Sequence, residues 1–236
     1  GFLTLRPLSR PEMIAQLEAL IGADAGADLA EDVWRRSQGN PFFVEQLAAQ
    51  YRQSAGSSDG PIAAVPTRLN QAFGGRIESV SPTAHRVLAA LSVAGRPLSE
   101  AVLQRVCALS ADDVRTSLKE LRGAYLLSDD VHRAGLEPRH ALLSEAVIAG
   151  LLPGEFTELH AAIAAEVEAE TGLLAAAEAA AHWRAAGNPE AELRATLRAA
   201  EQAERLFANA EAVRLLERAI ALAEADRENA DRVDLL

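Results

Sequence analysis

From residue 153 onward the chain is helical in pattern, and its helices are separated by breaks of only two or three residues: Thr171-Gly172, Gly187-Asn188-Pro189 and Phe207-Ala208-Asn209. Connections this short force consecutive helices to fold back on one another, and abundant alanine lets their axes come close. The periodicity predicts helices over about 154–170, 174–186, 190–206 and 209–225. Ala203, Leu206, Ala212, Leu215, Leu216 and Ala219 are expected to form the seam of one helical hairpin. One to two such repeats fit in this length, whereas ~3 are usually needed for a stable array. The array is therefore expected to continue past residue 236.

The rest of the chain is punctuated differently. Phe2 to Leu5 is a short strand-like run without partners of its own. A helix is expected at about 10–21, with Pro11 in its first turn and Ile14, Leu17, Leu20 and Ile21 on one side. A second, at about 28–37, stops at Gly39; Asn40 then caps a third that begins at Pro41 and turns Phe43, Leu47 and Tyr51 inward. The polar, glycine-rich stretch from Gln53 to Pro61 is the clearest boundary. Residues 64–151 read as four helices, a hairpin and a further helix. Ser81-Pro82 opens one helix (Val87, Leu88 and Leu91 inward), Ser99 caps the next (Val102, Leu103, Val106), and Ser110 with Asp113 starts a third (Val114, Leu118, Leu121). Tyr125 to Leu127 and Arg133 to Glu137 would flank the turn Ser128 to His132 as a small wing. Three short helices and a hairpin are the order of a winged helix. The expected fold is mainly α: a helical domain over 1–55, a linker over 56–63, a winged-helix domain over 64–152 and helical-hairpin repeats of the tetratricopeptide kind over 153–236.

Charge narrows the function classes. The net charge is −11, but residues 1–60 carry 5 basic and 8 acidic groups, 61–155 carry 10 of each, and 156–236 carry 8 and 16. The deficit belongs to the last third, so it does not by itself decide what the middle binds. The single cysteine, Cys107, forbids an internal disulfide and a cysteine-built zinc site, and suits a reducing cytosol. No apolar run approaches the ~18 residues of a membrane span, and no signal peptide opens the chain. There is no phosphate-binding G-x-x-x-x-G-K-[ST] loop, no H-E-x-x-H and no G-x-S-x-G, so no catalytic residue is assigned.

Three segments in this order carry a resemblance. They are Leu5 to Ser9 followed by Ser37-Gln38-Gly39-Asn40-Pro41-Phe42-Phe43-Val44-Glu45-Gln46-Leu47; Arg139 to Val147 continuing through Leu151-Leu152-Pro153-Gly154-Glu155 to Leu159-His160; and the alanine-rich run after residue 170. Together they resemble the signal-transducing STAND ATPases, especially the large LuxR-type bacterial regulators. The first is similar to the family's nucleotide-binding lid, the second to the end of its winged helix, the third to its repeat arm. The resemblance implies an internal fragment. The Walker segments are expected upstream of residue 1 and the DNA-binding helix-turn-helix downstream of residue 236, so the fragment alone is expected neither to hydrolyse ATP nor to read an operator.

Each candidate site residue has two readings. Gly39 and Pro41 match the family's Gly-x-Pro element, whose proline packs against the adenine of ADP or ATP; the plain alternative is a helix stop and a helix start. His140 matches a histidine set against the β-phosphate of ADP, a latch for the resting state; the plain alternative is a helix-start histidine that packs locally. Arg115, Lys119 and Arg122 share one side of the helix that enters the major groove in DNA-binding winged helices. Asp112, Asp113 and Glu120 neutralise that helix, which favours a solvated face. Trp34 and Trp183 are large residues with a polar handle, Trp183 expected in the inter-helix seam. Cys107 is expected in the core, and His85, His132 and His160 share no metal-ligand spacing.

The function expected is a regulatory fragment of a cytoplasmic, ATP/ADP-switched transcriptional regulator. Its lid and winged helix would close on ADP (ATP with Mg in the full-length protein), and its arm would sense an inducer or protein partner. Its partners would be the upstream nucleotide-binding core, that inducer, possible further copies of itself and, through the downstream domain only, DNA; no membrane is expected. The alternatives are a stand-alone winged-helix DNA binder with a helical dimerisation arm, and a nucleotide-independent interaction scaffold.

Overall fold

The structure, a computed structural model, describes residues 6–22, 26–54, 66–128, 135–170, 172 and 174–233. The strand-like run Phe2–Leu5, the linker 56–63 and most of the expected wing turn, with His132, lie outside the described residues. About three-quarters of the described residues are helical, so the fold is mainly α. Among the described residues there are twelve helices and no sheet, only two isolated antiparallel bridges. No helix among them is long and apolar enough to cross a membrane. The chain divides into two compact units: residues 1–100 with 111–150, and residues 101–110 with 151–236.

The first unit begins with three helices, α1 (Arg10–Ile21), α2 (Ala27–Ser37) and α3 (Pro41–Ser54). Ser9 opens α1, and the Glu12 carboxylate accepts hydrogen bonds from both its backbone N–H and its hydroxyl, each at 2.7 Å. That satisfies a donor that the helix start would leave unpaired. The buried line of α1 is Met13 and Leu17 rather than the expected side centred on Ile14 and Leu20. Met13, one residue earlier in the same turn, takes the inward place. Between α2 and α3 the chain reverses through Gln38 and Gly39, both with positive φ (51° and 77°). A Cβ on Gly39 would sit 2.3 Å from the Leu8 carbonyl oxygen, and Leu8 donates its N–H to the Gly39 carbonyl at 2.8 Å. Only glycine fits there. Asn40 Oδ1 accepts the N–H of Phe42 at 3.1 Å, Pro41 occupies the first helical position, and Phe43 and Leu47 are buried.

The remainder of this unit is α4 (Thr67–Glu78), α5 (Pro82–Ala94), α7 (Ala111–Gly123) and α8 (Ala141–Ala149). Helix α5 is apolar almost all round and forms the centre, packed on α7 and α8. Its start is capped twice over. Ser81 Oγ accepts from the Ala84 N–H at 3.2 Å, while Glu120 of α7 accepts from the Ser81 N–H and hydroxyl at 2.6 and 2.7 Å. Around the expected wing, Leu98 bridges Leu136 and Leu127 bridges Pro138. Gly135 passes so close to Pro97 that a Cβ would lie 2.7 Å from the proline ring.

The second unit holds α9 (Pro153–Glu168), α10 (Ala175–Ala185), α11 (Pro189–Arg205) and α12 (Asn209–Val233), each packed on the one before, together with most of α6 (Glu100–Cys107). The seams are built of alanine: Ala179 and Ala180 of α10, Ala195, Ala199 and Ala203 of α11, and Ala212 and Ala219 of α12 are buried. The expected seam needs two corrections. Leu206 and Leu216 are exposed, at 50% and 38%, and Leu222 is buried in their stead. Leu206 is the C-cap of α11, past its last inward turn, and Leu216 lies about 100° around the helix from Leu215. Helix α12 also runs on to Val233, with no glycine or proline to stop it near 225.

Within this unit the main polar tie is Glu192, 3% exposed on α11. Its Oε1 accepts from Arg184 Nε of α10 at 2.7 Å and from Arg218 Nε of α12 at 2.9 Å. Burial alone would raise the carboxyl's pKa, but the hydrogen bonds from Arg218 and Arg184 prevail and hold it below the usual range. One carboxylate thus joins three helices.

Candidate functional site

The strongest candidate is in the first unit, where α8 begins. His140 is the N-cap of α8 in extended conformation (φ −145°, ψ 144°), and its side chain makes no capping hydrogen bond. The imidazole is therefore available for other work. It stands edge-on to the ring of Phe43, centroids 5.0 Å apart at 83°, and Phe43 stands in the same way against Phe73 of α4 at 6.1 Å. The structure thus brings His140 against α3, two residues beyond Pro41. Burial, then the charges of Arg139 and Arg76, lower the His140 pKa to about 4, so the ring is neutral at pH 7. A neutral imidazole keeps one N–H to donate and one nitrogen to accept.

His140 also lines a cavity of about 780 Å³. Trp34, Arg35 and Gln38 come from the end of α2, Ser92 and Arg96 from the end of α5 and beyond, and Arg139 precedes the histidine. The Arg139 guanidinium lies 5.7 Å from the centre of the Tyr125 ring, and its backbone N–H is tied to the Leu126 carbonyl at 2.9 Å. Three arginines and a histidine line the space, but Arg35 is already paired to Asp32 at 2.5 Å and Arg96 and Arg139 have partners of their own, so an anion of phosphate type would have to compete for them. Glu137 and Glu145 line the same space, and Glu145 is turned toward Arg36 of α2.

The other sequence candidates fall as follows. Gly39 does a backbone task, the close approach to Leu8, and is not among the residues lining the cavity. Pro41 is exposed at the start of α3, its carbonyl accepting from Gln16 Nε2 at 3.2 Å. Arg115, Lys119 and Arg122 are all exposed on α7, with Arg115 paired to Asp112 at 3.0 Å. Cys107 is buried. Trp183 carries a buried Nε1 without a hydrogen-bond partner.

Sequence reasoning missed two groups. The cavity draws Trp34 and Arg35 from α2 and Arg96 from just past α5, and no spacing could join the two segments. His160 and His182 were given no role, yet in the second unit their Nδ1 atoms are 2.8 Å apart. Phe156 packs on His160 with ring centroids at 4.4 Å, and burial followed by the charge of His182 lowers the His160 pKa to about 4. Among the described residues no group of three or more potential metal ligands converges. No protein-family model matches the chain, and no curated protein matches its sequence.

Proposed function

We propose that this chain is the regulatory portion of a STAND-type, ATP/ADP-switched signal-transduction ATPase of the LuxR-type regulator kind. In this reading α1 to α3 are the nucleotide lid, residues 64–152 a winged helix, and residues 153–236 the start of a sensor arm of tetratricopeptide-like repeats. The observation that carries the reading is the meeting of His140 with Phe43: the lid motif and the histidine, about a hundred residues apart in sequence, share one unit. His140 also lines the cationic cavity.

In this reading the ligand is an adenine nucleotide, although Pro41, like Gly39, is not among the residues lining the cavity. The exposed Pro41 ring offers a flat apolar surface for the base, and His140 an N–H for the diphosphate, with Arg35, Arg96 and Arg139 around it. A neutral imidazole in this site donates to an anionic acceptor without having to be protonated first, and the neighbouring anion would raise its pKa. Closure on ADP would hold lid and winged helix together. Release on exchange to ATP requires the two nucleotides to differ in affinity for the closed and open states. An inducer on the arm would bias that equilibrium, with transcription as the output.

The test is nucleotide retention in the polypeptide extended upstream to include a nucleotide-binding core. ADP should co-purify with the wild type and be lost, or exchanged for ATP, in His140→Ala. Equal ADP in both would make His140 a packing residue. No nucleotide in either, from folded protein that also ignores added ADP, would leave the interaction scaffold in its place.

A further inference from the structure

Helix α8 is nine residues long and carries His140 at its start, so whatever fixes the direction of this short helix fixes the imidazole. Its apolar side, Leu142, Leu143 and Val147, is buried in the unit formed with α5, α4 and α2. Such contacts are non-directional and by themselves allow a short helix to swivel. Glu145 supplies the missing direction. Its two oxygens receive Arg36 Nε at 3.0 and 3.1 Å, and Oε2 receives Arg36 Nη2 at 2.7 Å. Behind it, Arg36 Nη1 lies 3.4 Å from Asp32, one turn earlier on α2. Arg36 is 3% exposed, and a guanidinium cannot shed its charge in a protein, so these carboxylates must neutralise it inside. A planar fork on both oxygens of one carboxylate sets angle as well as distance.

We propose that Arg36 is a positioning residue for His140. Through Glu145 it holds α8 in the orientation that keeps the imidazole against Phe43 and at the cavity, and loss of the pair frees α8 from α2. The inference rests on the nucleotide-switch reading only for its consequence, that opening this pair releases the winged helix from the lid. Its geometric content concerns this chain without any nucleotide.

The experiment is a proton-NMR titration of the histidine rings in the chain as it stands, wild type against Glu145→Gln, which keeps the side chain's shape and removes its charge. With the pair intact, the Phe43 edge displaces the His140 ring-proton shifts and the ring titrates near 4, under burial and the charges of Arg139 and Arg76. In the variant the midpoint should rise by one unit or more toward 6.5, and the ring-current displacement should collapse. His160 should be unmoved and serves as an internal reference. A lower melting temperature with His140 shifts and midpoint unchanged would overturn the proposal, leaving a purely structural ion pair. If Glu145→Gln does not fold, Arg36→Lys, which keeps the charge and loses the fork, is read by the same two criteria. Because no nucleotide is involved, failure of the ADP experiment leaves this result standing, and the reverse also holds.

Discussion

Gly39 and His140 do different kinds of work within the same motif-bearing unit. At Gly39 the requirement is steric. A methyl group would meet the Leu8 carbonyl oxygen at 2.3 Å, at a φ of 77° that side chains rarely adopt. Gly39→Ala should therefore cost at least about 2 kcal/mol in urea unfolding, whereas Pro41→Ala should cost under about 1 kcal/mol, as expected for the first helical position. Equal costs would contradict this division of labour. At His140 and His160 the requirement is electrostatic. Both pKa values are lowered from 6.5 to about 4, by burial first and by neighbouring positive charge second. Between those values the unfolded chain binds more protons than the folded one. Stability is thus fully present above pH 6.5 and is lost as pH falls through about 4. The melting temperature should decline from pH 7 to pH 4.5, and replacing both histidines by glutamine should flatten that slope. An unchanged slope would mean that these rings are protonated in the fold as readily as outside it.

The helices themselves were legible because their signals are local. Asn40 before Pro41 and Ser81 before Pro82 each mark a start that the structure honours, through a side chain that meets an otherwise unpaired N–H. What packs on what was less legible. The inward side of α1 was displaced to Met13, and the α12 seam passes through Leu222 instead of Leu216, because a helical stripe fixes a period but not which neighbour the stripe meets. Pairs far apart in sequence, Arg36 with Glu145 and His160 with His182, leave no periodic trace at all. The same holds for Glu192, which ties α10, α11 and α12 together. Arg184 and Arg218 are about half exposed, so after Glu192→Ala they can turn to solvent. The loss should then be about 1–2 kcal/mol, below that of a fully buried pair. Hydrogen exchange should speed up in α12 while α1 to α3 stay unchanged; uniform acceleration would show that the tie is not local.

At the scale of the molecule, two compact units divide the proposed work: one holds the lid motif, the histidine and the cationic cavity, the other the alanine-seamed repeats. On α7 the cations Arg115, Lys119 and Arg122 are exposed, and Arg115 is paired to Asp112 at 3.0 Å. Because residues 61–155 carry 10 basic and 10 acidic groups, this face should show no duplex binding at physiological salt. A salt-dependent affinity with a logarithmic slope near −2 to −3 would reinstate the α7 face as a phosphate contact. The proposed switch depends on one ligand being held by residues of the lid and of α8 together. The most direct measurement denatures the purified protein, extended upstream to take in the proposed nucleotide-binding core, and identifies the released nucleotide in wild type and His140→Ala. One ADP per wild-type chain and roughly a tenfold weaker hold in the variant, the effect of one lost charge-assisted hydrogen bond, is the result expected. Identical ADP content and release rate in the two proteins would contradict it.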